Sequence, residues 1–453
     1  MPASNAPTLP HRSAAVAATD PGRAAASPEA VPHVVAWNLT RRCNLACAHC
    51  YIAAGPWHGD GDELTLEECR RIAGEIFELN PAPLFILSGG EPLLRDDLED
   101  LARFATGAGA TVVVGTNGTR LTAERIASLQ EAGVTGVALS VDSLDARYHD
   151  RFRHGDNALE DTLAAVERLR QARLDFVIQT TLTPGNRHEV TRVAEWAAEK
   201  GAVCFNLYFL VETGRGEGMR SLAPAENDTV LAELVALAER FRGRMLVRSK
   251  CQPQIMRHAL AHEGGSTLAH YATRCPCGIQ YCRITPEGML TPCPYMPVAA
   301  GDLRRQSFGE IWREAPLFAD LRGGELGGKC GRCEYRAACG GCRARAWARS
   351  GQVLAADDSC AYEPPDSEAR PLFELPQRPT YGQRFRPALP WSDAARARLE
   401  RIPSFVRGVV GQRVERWAAD RGLDQVTPEL LDRIRAELPV DFSKRLPFFA
   451  RPE

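Results

Sequence analysis

The sequence predicts an α/β protein built as a partial (βα)6 barrel, followed by an irregular cysteine-rich domain and a small C-terminal helical domain. Three observations carry that reading. Short β-branched runs alternate with longer amphipathic ones from about residue 33 to 211, twelve of the fifteen cysteines fall in three tight groups, and an apolar stripe at helical spacing returns after residue 390. Such alternation joins parallel strands through crossover helices and places functional groups at the carboxyl ends of the strands. The 453 residues supply core enough for a barrel-sized unit and smaller appendages. Charged residues make up 25% of the chain and the net charge is −2, so charge attracts it neither to nucleic acid nor to an anionic membrane. No stretch is apolar enough to span a bilayer.

Residues 1–32 are rich in Ala and Pro and lack a compact run of large apolar residues, which reads as a disordered leader and predicts a cytoplasmic protein. The barrel unit, 33–215, offers strands at 33–38, 84–88, 111–116, 136–141, 176–181 and 203–210. One helix between them is well signposted: Thr65 and Glu68 have capping-box spacing, Cys69, Ile72, Ala73, Ile76 and Phe77 recur at helical intervals, and Asn80-Pro81 ends the run. Residues 216–270 are polar, helical around 227–241, and read as a bridge. Residues 271–365 have many Gly and Pro and little periodicity, so metal crosslinks are expected to hold them in shape. A Pro-rich linker at 366–388 leads to a helical module at 389–453, with Leu399, Ile402, Phe405, Val406, Val409 and Val410 on one stripe and a second helix starting at Thr427-Pro428-Glu429.

Cysteines of this density in a chain without a secretory signal point to metal ligation rather than disulfides. Cys43, Cys47 and Cys50 can hold three irons of a four-iron cluster and leave the fourth open to chemistry. Cys69 and Cys204 sit in apolar patterns as small buried hydrophobes, and Cys251 stands apart.

The spacing CxxxCxxC followed by Tyr51, directly after the first strand, resembles the signature of radical S-adenosylmethionine (SAM) enzymes. Ser88-Gly89-Gly90-Glu91-Pro92 resembles that family's Gly-Gly-Glu-Pro run at the end of the second strand. The resemblance implies a 4Fe-4S cluster whose open iron is chelated by the amino and carboxylate groups of SAM. It implies reductive cleavage to a 5′-deoxyadenosyl radical that abstracts hydrogen from substrate. Gly89, Gly90 and Glu91 would then meet the methionine ammonium and Tyr51 the adenine, with Asn117, Ser140, Asp142 and Gln179 as further SAM contacts at later strand ends. His49 is a spacer in the motif.

Cys293, the run Cys330, Cys333, Cys339, Cys342, and then Cys360 resemble the SPASM extension of radical SAM enzymes, which implies two auxiliary 4Fe-4S clusters. By family order one uses Cys277, Cys282, Cys293 and Cys342, with Cys275 as an alternative to Cys277, and the other uses Cys330, Cys333, Cys339 and Cys360. The spacing Cys339-Gly340-Gly341-Cys342 is one residue shorter than the commonest SPASM form. Two CxxC pairs also suit a zinc ribbon, the competing reading.

That short spacing, with Tyr281-Cys282-Arg283-Ile284 and Thr213-Gly214-Arg215-Gly216, is similar to radical SAM enzymes that trim side chains of iron tetrapyrroles in haem d1 and siroheme-dependent haem formation. The stretch from Trp391 to about Leu438 resembles the small C-terminal domain of light-independent protochlorophyllide reductase, which also handles a tetrapyrrole. A tetrapyrrole substrate is thereby implied, losing carbon dioxide or a whole side chain, with an electron donor such as a flavodoxin or ferredoxin and an auxiliary cluster relaying an electron. Arg215, Arg283, Arg343 and Arg345 are candidates to meet its carboxylate arms, and His58 to approach its iron. The rivals are a SPASM-type peptide or protein maturase and a non-catalytic metal scaffold.

Overall fold

The computed structural model describes residues 30–437 apart from 264, 271–273, 366–384, 401 and 403. The predicted leader up to residue 29, most of the linker and everything after 437 therefore lie outside the described residues. The six expected strands are present as β1 Val34–Asn38, β2 Leu84–Ser88, β3 Thr111–Thr116, β4 Gly136–Ser140, β5 Asp175–Leu182 and β6 Cys204–Phe209. Four more follow: β7 Leu246–Lys250, β8 Tyr281–Ile284, β9 Met289–Thr291 and β10 Gly301–Asp302. All belong to one sheet of order β10-β9-β8-β1-β2-β3-β4-β5-β6-β7, in which β8 to β7 run parallel and the last hairpin strands antiparallel.

Two sequence expectations change here. Residues 216–270 are not only a bridge, because β7 pairs in parallel with β6 and widens the barrel wall. The cysteine-rich region is not held by metal alone either: β8 pairs with β1, and Phe308, Ile311, Trp312, Phe318 and Leu321 are buried in the main core. Those five large side chains sit on two short helices, Phe308–Glu314 and Pro316–Gly323, too short to show a period by eye.

Strand alternation divides the sheet into two faces. Val35, Trp37, Phe85, Leu87, Val112, Val114, Val137 and Leu139 point to the helices and form the core, whereas Ala36, Asn38, Ile86, Ser88, Gly115, Ser140 and Gln179 point into the barrel. The helix Leu66–Leu79 carries the expected capping box, with Thr65 Oγ1 accepting from Glu68 N at 3.2 Å and Glu68 Oε2 accepting from Thr65 N at 2.8 Å. Cys69 and Cys204 are buried, as expected of small hydrophobes. Among the described residues no helix is long and apolar enough to cross a membrane.

The C-terminal module has its own small core, with Trp391, Leu399, Val414, Ala418, Val426 and Leu430, and the indole of Trp391 donates to Glu415 Oε1 at 2.9 Å. It reaches the barrel at the amino ends of the strands. Ile402 and Val406 pack on Val34, Leu84, Ile86 and Val113, and Ser404 Oγ meets His33 Nδ1 at 2.8 Å and accepts from Asn80 Nδ2 at 2.9 Å.

Candidate active site

The carboxyl ends of the strands open into a cavity of about 1170 Å³, measured with its mouth, whose lining includes Cys43, Cys47 and Cys50 together with Tyr51, Tyr208, Tyr281 and Tyr295. The cysteine loop is tied down on three sides. Ala46 N and Ala48 N donate to the carbonyls of Arg153 and Phe152 at the end of the helix Ala146–Arg153, Gly55 N donates to Arg41 O, and Arg215 N donates to Cys50 O at 3.0 Å. Gly214 has φ +60, and a Cβ there would come within 2.6 Å of Cys50 O, so the Thr213-Gly214-Arg215-Gly216 run is shaped to clasp this loop.

The glycine pair serves the same purpose. Gly90 N donates to Thr40 O and Glu91 N to Arg42 O, and a Cβ on Gly90 would lie 2.2 Å from Arg42 O. Both glycines line the cavity, but Glu91 does not: its carboxylate is buried and accepts from Thr116 Oγ1 at 2.8 Å, Asn117 N at 2.9 Å and Leu93 N at 3.1 Å. Burial raises its pKa against the pull of those donors. These bonds give Glu91 an internal role, joining the turn after β2 to the end of β3.

Asp142 likewise has internal partners. It is buried away from the cavity, grips Arg153 at 2.7 and 2.8 Å, and accepts from Thr181 N at 2.7 Å. Burial works against its charge, but Arg153 and the nearby His49 and His149 outweigh that and keep the carboxyl below its usual range. Arg153 in turn points Nη1 at Cys47 Sγ, 3.8 Å away. Asn117, Ser140 and Gln179 do line the cavity, and Asn117 Nδ2 donates to Asn44 Oδ1 at 3.0 Å and toward Cys43 Sγ at 3.9 Å. Tyr51 OH accepts from Asn38 Nδ2 at 2.8 Å, and its ring stands 5.1 Å from that of Tyr295.

All fifteen cysteines are free thiols. Burial pushes the Cys43 thiol to about 12 and raises that of Cys47, although Arg153 and Arg215 pull the latter back. Thiolates crowded at such a site are stable when a cation binds them, so the donor set fits iron. Cys330, Cys333, Cys339 and Cys360 line one small cavity of about 330 Å³, which fits the second auxiliary set. In the other set Cys277, Cys293 and Cys342 share a cluster with Cys251 and Cys275, and Cys275 Sγ lies 3.3 Å from Cys277 Sγ. Cys282 is absent from it. On β8, Tyr281 faces the cavity, so Cys282 faces the opposite side of the strand and is fully buried in the main core.

Three of the four candidate arginines turn out to be internal clamps. Arg343 donates to the carbonyls of Val353 and Ala355, Arg283 to Pro294 O, and Arg345 to Phe209 O, Leu210 O and Cys251 O. Arg215 lines the cavity while donating to Cys47 O and Ala54 O, and its Nη2 is buried with no hydrogen-bond partner among the described residues. His58 contacts Ala53 O outside the cavity. His49, a spacer in the motif, does line the cavity; its ring stacks on Phe152 at 4.5 Å, and burial lowers its pKa to about 4. The sequence reading missed Tyr208, Tyr295 and Arg153; inward register on β6 and proximity to Cys293 were the signals for the two tyrosines.

Residues 37–197 match the Radical SAM superfamily, 275–343 the SPASM iron-sulfur cluster-binding domain, and 391–435 the Proto-chlorophyllide reductase 57 kD subunit. An AdoMet-dependent heme synthase of Methanosarcina barkeri is 40% identical over 74% of this chain and 97% of its own length. The chain belongs to the radical SAM superfamily. A second relative within the superfamily, a Pre-heme d1 synthase of Dinoroseobacter shibae, is 30% identical over 78% of this chain and 92% of its own. Streptococcus suis SuiB bound to S-adenosylmethionine shares the fold with TM-score 0.61 at 13% identity, over 74% of this chain and 78% of that one. This radical SAM enzyme thus carries a cluster that binds SAM and a SPASM domain for auxiliary clusters, on a sheet that is not closed by hydrogen bonds between β7 and β8.

Proposed function

We propose that this radical SAM enzyme removes or decarboxylates carboxylate side chains of a tetrapyrrole in haem or haem d1 type biosynthesis. The observation that carries the reading is that one cavity is lined by three thiols and by four tyrosines, Tyr51, Tyr208, Tyr281 and Tyr295. A flat macrocycle is matched by aromatic faces, and its carboxylates by hydroxyl donors and a guanidinium. Burial raises the pKa of all four phenols, so they stay neutral and able to donate. Arg215, with its unpartnered Nη2, is the cation in place for a carboxylate. The likeness to the haem synthase and the pre-haem d1 synthase supports the same class of substrate.

When bound, the cluster and SAM supply a 5′-deoxyadenosyl radical that takes a hydrogen atom from a substrate side chain. The chain's own residues set the stage. Asp142 holds the Arg153 guanidinium beside Cys47, Glu91 fixes the strand-end turn that carries Asn117, and the clasp of Gly214 and Arg215 closes the cysteine loop. Asn117, Ser140 and Gln179 remain the SAM contacts, and a flavodoxin or ferredoxin is the electron donor. Anaerobic incubation with siroheme derivatives and with iron coproporphyrin, read by mass spectrometry, tests the proposal. A product lighter by carboxyl groups is expected; tetrapyrroles recovered unchanged beside a modified peptide would point to the maturase reading instead.

A further inference from the structure

The first auxiliary thiol set contains a member that spacing does not suggest. Cys251 directly follows β7, at one edge of the sheet, while Cys275 and Cys277 precede β8 near the other. Cys342 shares a buried cluster with Cys277 and Cys293, Cys251 and Cys275 both pack against it, and Cys275 Sγ lies 3.3 Å from Cys277 Sγ. Five thiols therefore form one connected group around Val211 and Met296, and Cys282 is outside it.

Two further observations single out residue 251. Its backbone is left-handed, φ +60, a conformation that costs a non-glycine residue on the order of 1 kcal/mol or more and persists where the surroundings impose it. The surroundings do impose it. Helix Arg343–Ser350 presents Cys342 at its amino end and Arg345 one residue inside its first turn, and Arg345 Nη1 donates to Cys251 O at 3.2 Å and to Ser359 Oγ at 2.9 Å. One helix thus holds residue 251 by its carbonyl and carries, in Cys342, a member of the cluster that the Cys251 side chain packs against. Tyr281 and Tyr295, both of which line the cavity, pack against the same group.

We propose that Cys251 is an iron ligand of the auxiliary cluster held with Cys277, Cys293 and Cys342, and that it takes the place spacing gives to Cys282. The cluster then bridges the unpaired seam between β7 and β8. Cys275 is the reserve thiol of the group. The proposal rests on this site holding an iron–sulfur cluster, and the test separates the two.

Full-length protein with Cys43→Ala, Cys47→Ala and Cys50→Ala, reconstituted anaerobically, should hold about eight irons, four for each auxiliary cluster. A count near four means that only one auxiliary site takes iron, and contradicts the SPASM reading before Cys251 is tested. In that background Cys282→Ala should keep the iron and the electron paramagnetic resonance lines of the reduced clusters. Cys251→Ser should lose up to half of the iron, or keep it with shifted lines where the serine oxygen or Cys275 takes over. Iron and lines unchanged in Cys251→Ser, or lost in Cys282→Ala with far-ultraviolet circular dichroism intact, would overturn the proposal. The unmutated chain gives a second readout: iodoacetamide should label the half-buried Cys251 in iron-free protein and not in loaded protein. Equal labelling in both forms overturns the assignment.

Discussion

The two ends of the barrel are built from the same inward-facing strand positions and have opposite character. At the mouth Asn38, Ser88, Gly115, Ser140 and Gln179 end their strands in polar or small groups beneath a loop of three thiols. At the floor Val34, Leu84 and Val113 meet Ile402 and Val406 of the C-terminal module, and Ile86 takes part in both environments. The difference teaches that the module's likeness to a protochlorophyllide reductase subunit is expressed here as a stopper, not as a wall of the cavity. Its Ile402 and Val406 cover apolar side chains at the amino ends of the strands.

The largest separation of the two ends is expected from Cys47→Ala and Val406→Ala. The first should bring reductive SAM cleavage, measured as 5′-deoxyadenosine formed, down to background; the second should leave it near the unmutated rate. Equal losses would erase the distinction between a reacting mouth and a closing floor. Next in size is Arg153→Ala, which strands the buried Asp142 carboxylate beneath the cysteine loop. Breaking a buried pair in this way costs ~3–5 kcal/mol, read from the denaturant midpoint. Asp142→Asn with Arg153→Met should recover much of it.

At the floor, Val406→Ala removes about two methylene equivalents and should cost ~1.5 kcal/mol. A negligible shift of the midpoint would mean that the module does not pack there.

The smallest effect near neutrality comes from His149 below the mouth. It is fully buried, and its Nδ1 accepts from Asp142 N at 3.3 Å, which requires the ring to be unprotonated there. Burial, helped by Arg153, lowers its pKa to about 4. The unfolded chain then binds a proton that the folded one refuses, so stability is full above about pH 6.5 and falls as pH drops toward 4. In iron-free protein His149→Gln should flatten that part of the stability profile; a slope unchanged by the substitution would contradict the assignment.

How much of this was legible in the sequence follows from which signals are local. The first six strands appear within a residue of their expected ends because each is a β-branched run flanked by clear breaks. β7 escaped because Leu-Val-Arg-Ser-Lys has no apolar alternation; pairing with β6 makes it a strand. The three cysteines of the first site were legible because one loop carries them all. The proposed exchange of Cys282 for Cys251 has a different source. Spacing counts residues but does not say which face of a strand a side chain takes, and Cys251 is brought to its partners only by the helix that carries Cys342 and Arg345. Glu91 and Asp142 were placed at the correct strand ends, yet their carboxylates are consumed by Asn117, Thr116 and Arg153, contacts that only the packed structure reveals.

The central claim is that the three-thiol mouth leaves one iron free to take the amino and carboxylate groups of SAM. Electron–nuclear double resonance on the reduced, reconstituted protein with SAM carrying heavy nitrogen in its amino group tests this most directly. A nitrogen coupling to the cluster spin that disappears in Cys43→Ala is the predicted result. A fully loaded protein with no such coupling, SAM being bound, would contradict the account.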